Sequence, residues 1–538
     1  MKKLFLFFIT FMLLAANVNK KLSAQEDPVV VETHAEDMVE TADPLYYIRS
    51  IDFEVKGTTH DFALMRQGKF KYGEQIQGNE ELKKYIEEKT QLLMNERVLE
   101  TVEITYTVGE PEENDGTAVI PVDLLVNVKD TWNVIVLPKP TYKDGEGYSL
   151  ILKGRDYNFL GTMNALRIDL GYELDVNKTN ANGEKKGWDF YKGDVLFEID
   201  ADIPFSALGH IWSVNFDHAF AYTYGEPLYY KNTTGLSLEL PYKRTTFTVG
   251  FDEYVIVNER KSDDEKGEYG GGERFGGAYM GTEIYGLWGI PTGLSVGKFG
   301  ELTYTPRVSS HVNYKPGGNS DYPWKGPHAE FSHTLGFGRV DWIGNYRKGL
   351  EVEARNAFGY NIYKQEWNPN LSFTAKGYLL LSDFFGLSGR MTLQTWFYNT
   401  NTNVGGDLRG ILDRYLQAET MLSLNMDFPF RILRFYPSEI FDNPKLHLLD
   451  FEIHASPFID LAMIQGLAGD PDGTPEKIDF SPENIFCTGG LELFVFPAFA
   501  RSIYLRVSLG SDLREWAKTG KSPLDGNSEL EIVLGHLY

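Results

Sequence analysis

From Trp132 onward, most of the chain consists of segments in which apolar and polar residues alternate. The segment Leu166–Asp175 would place apolar side chains on one face of a strand and mostly charged side chains on the other. The segments Val195–Ile203 and Ile503–Leu509 repeat this pattern. No convincing amphipathic helix interrupts them, so the pattern predicts an all-β domain.

Alternation of this kind is compatible with two architectures. A soluble sandwich would turn its apolar faces inward, whereas a membrane barrel would turn them outward to lipid. Many of the segments run for ten or more residues, which is longer than the roughly five or six residues usual in soluble sheets. We therefore predict a transmembrane antiparallel β-barrel over residues 131–538. Counting the segments favours about 16 strands, an even number as such barrels usually have.

Residues 46–130 show a mixed pattern instead. The sequence IDFEVKG, from Ile51 to Gly57, alternates and stops at a glycine, which predicts a half-buried strand ending in a turn. Asn79 is a predicted N-cap for the longer of two helices. The elements predicted after the first strand are a short helix, a long helix and two strands, at Asp61–Arg66, Asn79–Asn95, Val98–Val108 and Ala118–Val128. This order predicts an independent α+β domain of ordinary size.

The N-terminal residues have the composition of an export signal. Two lysines precede an apolar run from Leu4 to Leu14, and small and polar residues follow up to Ala24. This order predicts a signal peptide over residues 1–24. A membrane anchor is the alternative, but the apolar run is shorter than the ~20 residues that a spanning helix needs. The acidic residues 25–45 are predicted to be a flexible leader.

Charge and composition exclude several function classes. A formal net charge of −24 argues against a nucleic-acid partner, which would require a basic surface. Cys487 is the only cysteine, so the chain can form neither an intrachain disulfide nor a multi-cysteine metal site. The histidines show no paired spacing typical of metal ligands. We predict no cofactor.

Two short motifs are candidate enzymatic signals. The sequence GLSVG at Gly293–Gly297 fits the pattern of a nucleophile elbow, but that motif needs a helix directly after the serine. None is predicted there. The glycine-rich segment Gly267–Gly281 joins two alternating segments rather than a strand and a helix, so a loop entering a strand is favoured over a phosphate-binding loop. The chain is predicted not to be an enzyme.

The predicted first domain resembles a polypeptide-transport-associated (POTRA) domain, the periplasmic module of the BamA/TamA-type outer-membrane assembly proteins. The resemblance rests on the order of elements, on IDFEVKG as the first strand and on RVLETVEITYTV after the long helix. The second domain resembles the bacterial surface antigen barrel of the same superfamily over essentially its whole length. An Asp-x-Asn-(Phe/Trp)-Leu-Gly turn recurs near the start of such barrels. Its residues here are Asp156, Asn158, Phe159, Leu160 and Gly161.

The sharpest resemblance lies at the tip of a predicted extracellular loop. Leu408, Arg409, Gly410 and Ile411 stand where the superfamily has a Val-Arg-Gly-Phe/Tyr motif, and a strand ending in Asp-Phe-Pro follows. In the superfamily this loop folds back into the lumen, where a guanidinium can bind a wall carboxylate through a bidentate, charge-assisted hydrogen bond. The resemblance implies that Asp460 is that acceptor. Ala462 replaces the glycine of the family's Asp-x-Gly motif.

The C-terminus resembles the closing strand of a barrel. Leu530, Ile532 and Leu534 alternate with polar residues, and the sequence ends in the aromatic Tyr538. The superfamily resemblance implies a seam between the first and last strands that opens sideways.

The resemblance implies that the chain is an assembly or translocation factor in the bacterial outer membrane, with its first domain in the periplasm. Its expected partners are membrane lipid, unfolded client proteins, and periplasmic chaperones or lipoproteins. Two alternatives remain open. One is a protein-secretion pore or channel of the same superfamily, and the other is a structural surface antigen without transport activity.

Overall fold

A computed structural model describes most of the chain outside the N-terminal segment and several connections. The described residues are 44–114, 117–143, 147–175, 190–222, 227–258, 277–318, 328–362, 365–397, 408–410, 418–467, 485–520 and 528–534. The predicted signal peptide 1–24, nearly all of the predicted leader, Ile411 and Tyr538 lie outside these ranges.

The N-terminal part forms a small sheet packed against two helices. Its elements are β1 (Leu45–Lys56), α1 (Asp61–Gln67), β2 (Gln75–Gln77), α2 (Asn79–Asn95), β3 (Leu99–Val108), β4 (Glu112–Asn114) and β5 (Thr117–Asp130). The strand order is β2-β1-β5-β3, with β4 also paired to β5. The pair β1–β5 is parallel and the pair β3–β5 is antiparallel.

The core of this domain follows from the helical spacing of apolar residues in α2. Leu82, Ile86 and Leu93 are buried on one face of the helix and join the apolar side chains of the sheet in one cluster, as expected for an amphipathic helix on a sheet. The prediction that Asn79 caps α2 is wrong. Gly78 occupies the cap position, and the Asn79 side chain instead accepts a hydrogen bond from the Tyr46 hydroxyl.

The remaining strands form one large sheet. They are β6 (Val134–Lys143), β7 (Gly147–Asp156), β8 (Leu166–Asp175), β9 (Asp194–Ala207), β10 (His210–Tyr222), β11 (Tyr229–Tyr242), β12 (Thr245–Val257), β13 (Gly277–Ser295), β14 (Glu301–Gly318), β15 (His328–Ile343), β16 (Tyr346–Asn361), β17 (Glu366–Ser382), β18 (Phe385–Trp396), β19 (Ala418–Asp427), β20 (Phe430–Phe435), β21 (Phe451–Leu467), β22 (Ile485–Pro497), β23 (Leu505–Asp512) and β24 (Ser528–Leu534).

This sheet closes on itself, because β24 lies beside β6. Strands β19 and β20 both pair with β21 in consecutive registers, so they are two halves of one strand interrupted at Phe428 and Pro429. The described residues therefore form eighteen strand positions around the barrel, and the expected count of about 16 was too low. One two-residue hairpin turn, Lys243–Arg244, carries no sequence signal: Lys243 adopts positive φ where glycine or asparagine would be expected.

The exterior of the barrel is apolar and the lumen is polar. Phe251 on β12 pairs in register with Ile284 on β13, and their side chains are 47% and 57% exposed. Towards the lumen, Arg307 pairs with Glu283 at 2.8 Å and Arg155 pairs with Asp169. An exposed apolar surface of this extent marks contact with lipid. The predicted fold, a transmembrane antiparallel β-barrel preceded by one small α+β domain, is confirmed.

Helices are short in this second domain. They are α3 (Pro437–Ile440), α4 (Leu513–Thr519) and the 3₁₀ turns Phe159–Gly161, Phe190–Lys192, Gly297–Phe299 and Pro444–Leu449. Within the part of the chain that the structure describes, no helix has both the length and the apolar character to cross a membrane.

The lipid-facing exterior can be tested by changing the charge on each face of one strand. We predict that Ile284→Arg lowers the free energy of unfolding by about 2–4 kcal/mol, the cost of an arginine on the lipid face near the bilayer midplane. Glu283→Ala, on the adjacent lumen-facing position, should cost at most about 1 kcal/mol, because it removes a half-exposed ion pair. Urea titration of the protein folded in lipid vesicles measures both. Equal, small effects would contradict a lipid-facing exterior.

Candidate functional site

The tip of the connection between β18 and β19 lies inside the barrel. Leu408 is 2% exposed and Arg409 is 5% exposed, although neither belongs to a strand. Leu408 packs in an apolar cluster with Ala462 and other wall residues. The tip of the loop therefore lies against the wall at the level of Ala462, whose methyl group contributes to its packing.

Arg409 makes a bidentate ion pair with Asp460, which is on β21. The distance from Nε to Oδ2 is 2.9 Å and the distance from Nη2 to Oδ1 is 2.6 Å. The backbone N–H of Arg409 also donates to Oδ2, at 3.1 Å. Asp460 is fully buried. Because fork-like pairing fixes both the position and the orientation of the guanidinium, the loop tip has one defined place on the wall.

Two further acids complete what we call the carboxylate cluster, which consists of Asp427, Asp460 and Glu492. Nη1 of Arg409 lies 2.5 Å from Oδ1 of Asp427 on β19 and 3.2 Å from Oε1 of Glu492 on β22. Arg506 on β23 reaches the same Glu492 oxygen at 2.9 Å. Arg409 thus ties together strands β19, β21 and β22, and Arg506 joins β23 to the same network through Glu492.

An aromatic ring and two glycines shape the place where the loop meets the wall. The guanidinium carbon of Arg409 lies 3.8 Å from the centre of the Phe458 ring, a favourable cation–π distance. Gly410 has φ +87°, and a Cβ there would lie 2.3 Å from the backbone nitrogen of Ser511. A Cβ on Gly510 would in turn meet Gly410 at 2.9 Å. Only glycine permits this close approach of two backbones.

Three of these residues were not predicted from the sequence: Asp427, Glu492 and Arg506. For Glu492, the alternation of apolar and polar residues along the strand contains a signal. Glu492 stands between Leu491 and Leu493, which are 43% and 39% exposed on the lipid side. A single acid flanked in this way must point inward, because successive side chains of a strand face opposite sides. Asp427 begins the Asp-Phe-Pro sequence at the end of β19, and that sequence alone does not reveal its ion pair with Arg409.

A cavity in the lumen lies next to the carboxylate cluster. Its lining includes Asp427 and Glu492 from the cluster, together with His454 and Asn345. Asn345 is also bonded to the N-terminal domain, through Nη2 of Arg97 at 3.0 Å. The cavity is therefore lined both by the carboxylate cluster and by a barrel residue that binds the N-terminal domain.

The predicted entrance turn after β7 joins the barrel to the N-terminal domain. Asn158 is buried, donates to the Thr59 hydroxyl at 2.8 Å and accepts from the Met163 backbone at 2.9 Å. Gly161 has φ +69°, and a Cβ there would lie 2.0 Å from the carbonyl oxygen of Thr58. Met163 belongs to the apolar core of the N-terminal domain.

Asp156 and Phe159 complete this turn. Asp156 accepts the backbone N–H of Asn158 at 3.1 Å, and the backbone N–H of Phe159 donates to Asn164 at 3.0 Å. These bonds fix the turn's own shape, whereas Asn158 and Gly161 make its contacts with the other domain. Asp156 and Phe159 therefore stabilise the turn itself, and Asn158 and Gly161 connect it to the N-terminal domain.

The N-terminal domain also reaches the opposite side of the barrel mouth. The Asn95 side chain donates a hydrogen bond to the Asp341 carboxylate and accepts one from the backbone N–H of Trp342, both at 2.9 Å. Arg97 donates to the carbonyl of Gly344 at 3.1 Å, and its guanidinium carbon lies 4.3 Å from the centre of the Trp342 ring. The turns β7–β8 and β15–β16 are almost half the ring of strands apart. The domain therefore lies across the mouth.

Arg97 is the most deeply buried charge in this contact between the domains. It is 5% exposed. Burial and, to a smaller extent, the neighbouring Arg501 lower its pKa to about 9. That value still leaves the guanidinium charged at neutral pH. Its hydrogen bonds to barrel carbonyls are therefore charge-assisted, and charge-assisted bonds are stronger than bonds between neutral groups.

The predicted closing strand is β24. Its residues pair in register with β23, from Leu505 opposite Leu534 to Ser511 opposite Ser528. Leu530 is 59% exposed, and Ile532 is paired with Val507. No group of three or more His, Cys, Asp or Glu residues suited to a metal ion is found in the described ranges.

Comparisons with known proteins give structural similarity at low sequence identity. No protein-family model matches the chain, and no curated protein matches its sequence. CdiB from Acinetobacter baumannii is 13% identical with a TM-score of 0.47, over 91% of this chain and 74% of that chain. BamA from Haemophilus ducreyi lacking POTRA domains 1–3 is 14% identical with a TM-score of 0.33, over 91% and 84%.

CdiB from Escherichia coli is 9% identical with a TM-score of 0.39, over 96% of this chain and 95% of that chain. All three TM-scores lie below 0.5, so the function proposed below rests on this chain's own residues.

The contribution of the loop arginine to stability can be measured directly. We predict that Arg409→Ala lowers the free energy of unfolding by about 3–5 kcal/mol, because it removes the bidentate counter-charge of the fully buried Asp460. Arg409→Lys should recover only part of this, since an ammonium cannot pair in a fork. Arg244→Ala is the matched control: Arg244 is 71% exposed in its pair with Glu301 and should cost at most about 1 kcal/mol.

Urea titration of the folded barrel in vesicles gives the comparison. Indistinguishable midpoints for Arg409→Ala and Arg244→Ala would show that the loop tip does not hold the wall.

Proposed function

We propose that this chain is a member of the BamA/TamA-type superfamily that inserts proteins into, or translocates them across, the bacterial outer membrane. The observation that carries the proposal is the loop tip held inside the lumen by Arg409 and the carboxylate cluster. In a simple pore, a buried ion-pair network across four wall strands would serve no transport purpose. In a barrel that opens at one place, it keeps the rest of the wall intact.

The position of the network relative to the seam supports this mechanism. We call the contact between β24 and β6 the seam. The network binds β19 to β23 together, and β23 is the last strand before β24. The stiffened wall therefore ends one strand short of the seam. Under strain, the barrel should therefore open at the seam, because the seam is the weakest contact between strands beside this rigid part of the wall.

The sequence of β6 weakens the seam further. Proline has no backbone N–H to donate. Because Pro138 and Pro140 are two residues apart, both missing donors are on the same side of the strand. Pairing between β6 and β7 runs without a register shift from Val134 to Lys143. Proline is tolerated in sheets where the missing donor is not needed by the paired neighbour. The missing donors therefore belong on the side of β24.

An opened seam would act on a client through backbone pairing. The edge of β6 or β24 would present unpaired N–H and C=O groups that template an extended client strand. The N-terminal sheet offers a second edge at β3, which ends the strand order β2-β1-β5-β3. In this proposal the N-terminal domain lies in the periplasm, receives extended client segments there and delivers them across the barrel mouth.

A secretion pore is the second candidate function, and the polar lumen favours it. Inward-facing ion pairs such as Arg307 with Glu283 and Arg155 with Asp169 would line a wet path for an unfolded chain. The two functions differ in the route of the client. An insertase releases the client sideways through the seam, whereas a pore passes it along the barrel axis.

A disulfide across the seam separates the two routes. In a Cys487→Ser background, Leu530→Cys on β24 is combined in turn with Val134→Cys, Val136→Cys or Pro138→Cys on β6. We predict that the oxidised pair abolishes insertion of a client barrel into vesicles that contain the protein and that reduction restores it. Leu509→Cys with Leu530→Cys is the matched control, because these residues are already paired within the wall.

The control disulfide should leave insertion unchanged in both redox states. A sealed seam with full client insertion would contradict the sideways route. Passage of an unfolded chain into the vesicles that is equal in the oxidised and reduced protein, with no insertion of the client barrel in either state, would favour the secretion pore.

A further inference from the structure

The connection between β20 and β21, residues 436–450, is unlike the other turns at the same end of the barrel. Other hairpins there turn within two residues, at Leu208 and Gly209 or at Lys243 and Arg244. This connection instead contains α3 and the 3₁₀ turn Pro444–Leu449. A connection of this length in a barrel rim costs conformational entropy, so its ordered structure calls for an explanation.

The connection is held as a folded unit by Asp450, which is 2% exposed. Its carboxylate accepts the backbone N–H of Ser438 at 3.0 Å and lies 3.1 Å from Nδ1 of His447. Its backbone carbonyl accepts the N–H of Ala498 at 2.9 Å, which ties the unit to the β22–β23 turn. Arg501 of that turn donates a hydrogen bond to the backbone carbonyl of Glu100 in the N-terminal domain. The unit therefore lies at the barrel end that carries this domain.

This ordered unit exposes large apolar side chains. Ile440 and Phe441 are 62% and 68% exposed, and Leu448 and Leu449 are 68% and 57% exposed. They form two adjacent pairs separated by a polar stretch that includes Lys445. We call these four residues the rim patch. An ordered surface loop normally turns polar residues to water, so four such side chains indicate a surface that is covered in the functional setting.

The rim patch continues the lipid-facing exterior of the barrel. Leu433 and Phe435, on the strand that leads into the connection, are 43% and 40% exposed. The ring of Phe435 lies 5.5 Å from that of Phe451, on the strand that leaves it. Because the patch begins where two lipid-facing strands end, it extends the same apolar surface past the end of the barrel wall.

We propose that residues 436–450 form an interfacial anchor whose rim patch enters the lipid leaflet on the side of the N-terminal domain. Its occupant is acyl chain and headgroup, in the manner of short amphipathic elements that lie in the membrane plane. The connection carries the acidic Glu439 and Asp442 beside the basic Lys445. Because it has no excess of positive charge, the anchor does not depend on anionic lipid headgroups. The anchor fixes the depth and tilt of the wall strands that carry Asp427 and Asp460. It goes beyond the proposed transport function and requires only a membrane-spanning barrel.

The full-length mature protein, reconstituted in phosphatidylcholine vesicles, tests the anchor. In a Cys487→Ser background, Phe441→Cys and Leu448→Cys are each labelled with an environment-sensitive fluorophore and exposed to lipids that carry a nitroxide quencher. Ile284→Cys, on the lipid-facing exterior, is the positive control. Tyr72→Cys, 62% exposed in the N-terminal domain, is the negative control.

The anchor predicts quenching at positions 441 and 448 that approaches the value at position 284 and exceeds the value at position 72 several-fold. Quenching equal to that at position 72 would overturn the proposal. So would protection in native membranes without quenching in pure lipid vesicles, because the patch would then be covered by a protein. Because the substituted side chains are exposed, folding is not at risk, and recovery of the folded barrel on gels checks this for each variant.

Discussion

The structure depends on one buried guanidinium. Arg409 enters a lumen wall that carries Asp427, Asp460 and Glu492, and all four side chains are nearly or fully buried. Without Arg409, only Arg506 would balance these three neighbouring carboxylates, and their mutual repulsion would disfavour the charged forms. The ion pair therefore does more than attach a loop. It makes the polar wall between β19 and β23 tolerable, and it fixes the loop to the part of the barrel that precedes the seam.

The sequence predicted those elements whose structure is determined by the local periodicity of apolar residues. Alternation over long segments such as Leu166–Asp175 predicted membrane strands, and the helical spacing in Asn79–Asn95 predicted α2. The strand count failed where turns lacked a signal, as at Lys243, whose positive φ no sequence rule predicts. Asn79 was misassigned because its side chain is used by Tyr46, which lies in another strand. Local patterns cannot foresee such distant partners.

The candidate site was only partly foreseeable, for a related reason. Family resemblance pointed to Arg409 and Asp460, and the structure brings them into contact. Glu492 and Arg506 belong to strands far along the chain. The register of β22 against β21 decides the contact of Glu492 with Arg409, and the register of β23 against β22 decides the contact of Arg506 with Glu492. Register is a property of the closed barrel and not of any one segment. The same holds for the N-terminal domain, whose position across the mouth arises from separate contacts at Asn158 and at Arg97.

The central claim is that the wall is rigid at the Arg409 network and weak at the seam. Hydrogen exchange of the backbone amides in vesicles tests it most directly, because local opening is measured strand by strand. The account predicts slow exchange in β21 and β22 and much faster exchange in β24 and in β6 beside it. Uniform protection around the barrel, or faster exchange in β21 than in β24, would contradict it.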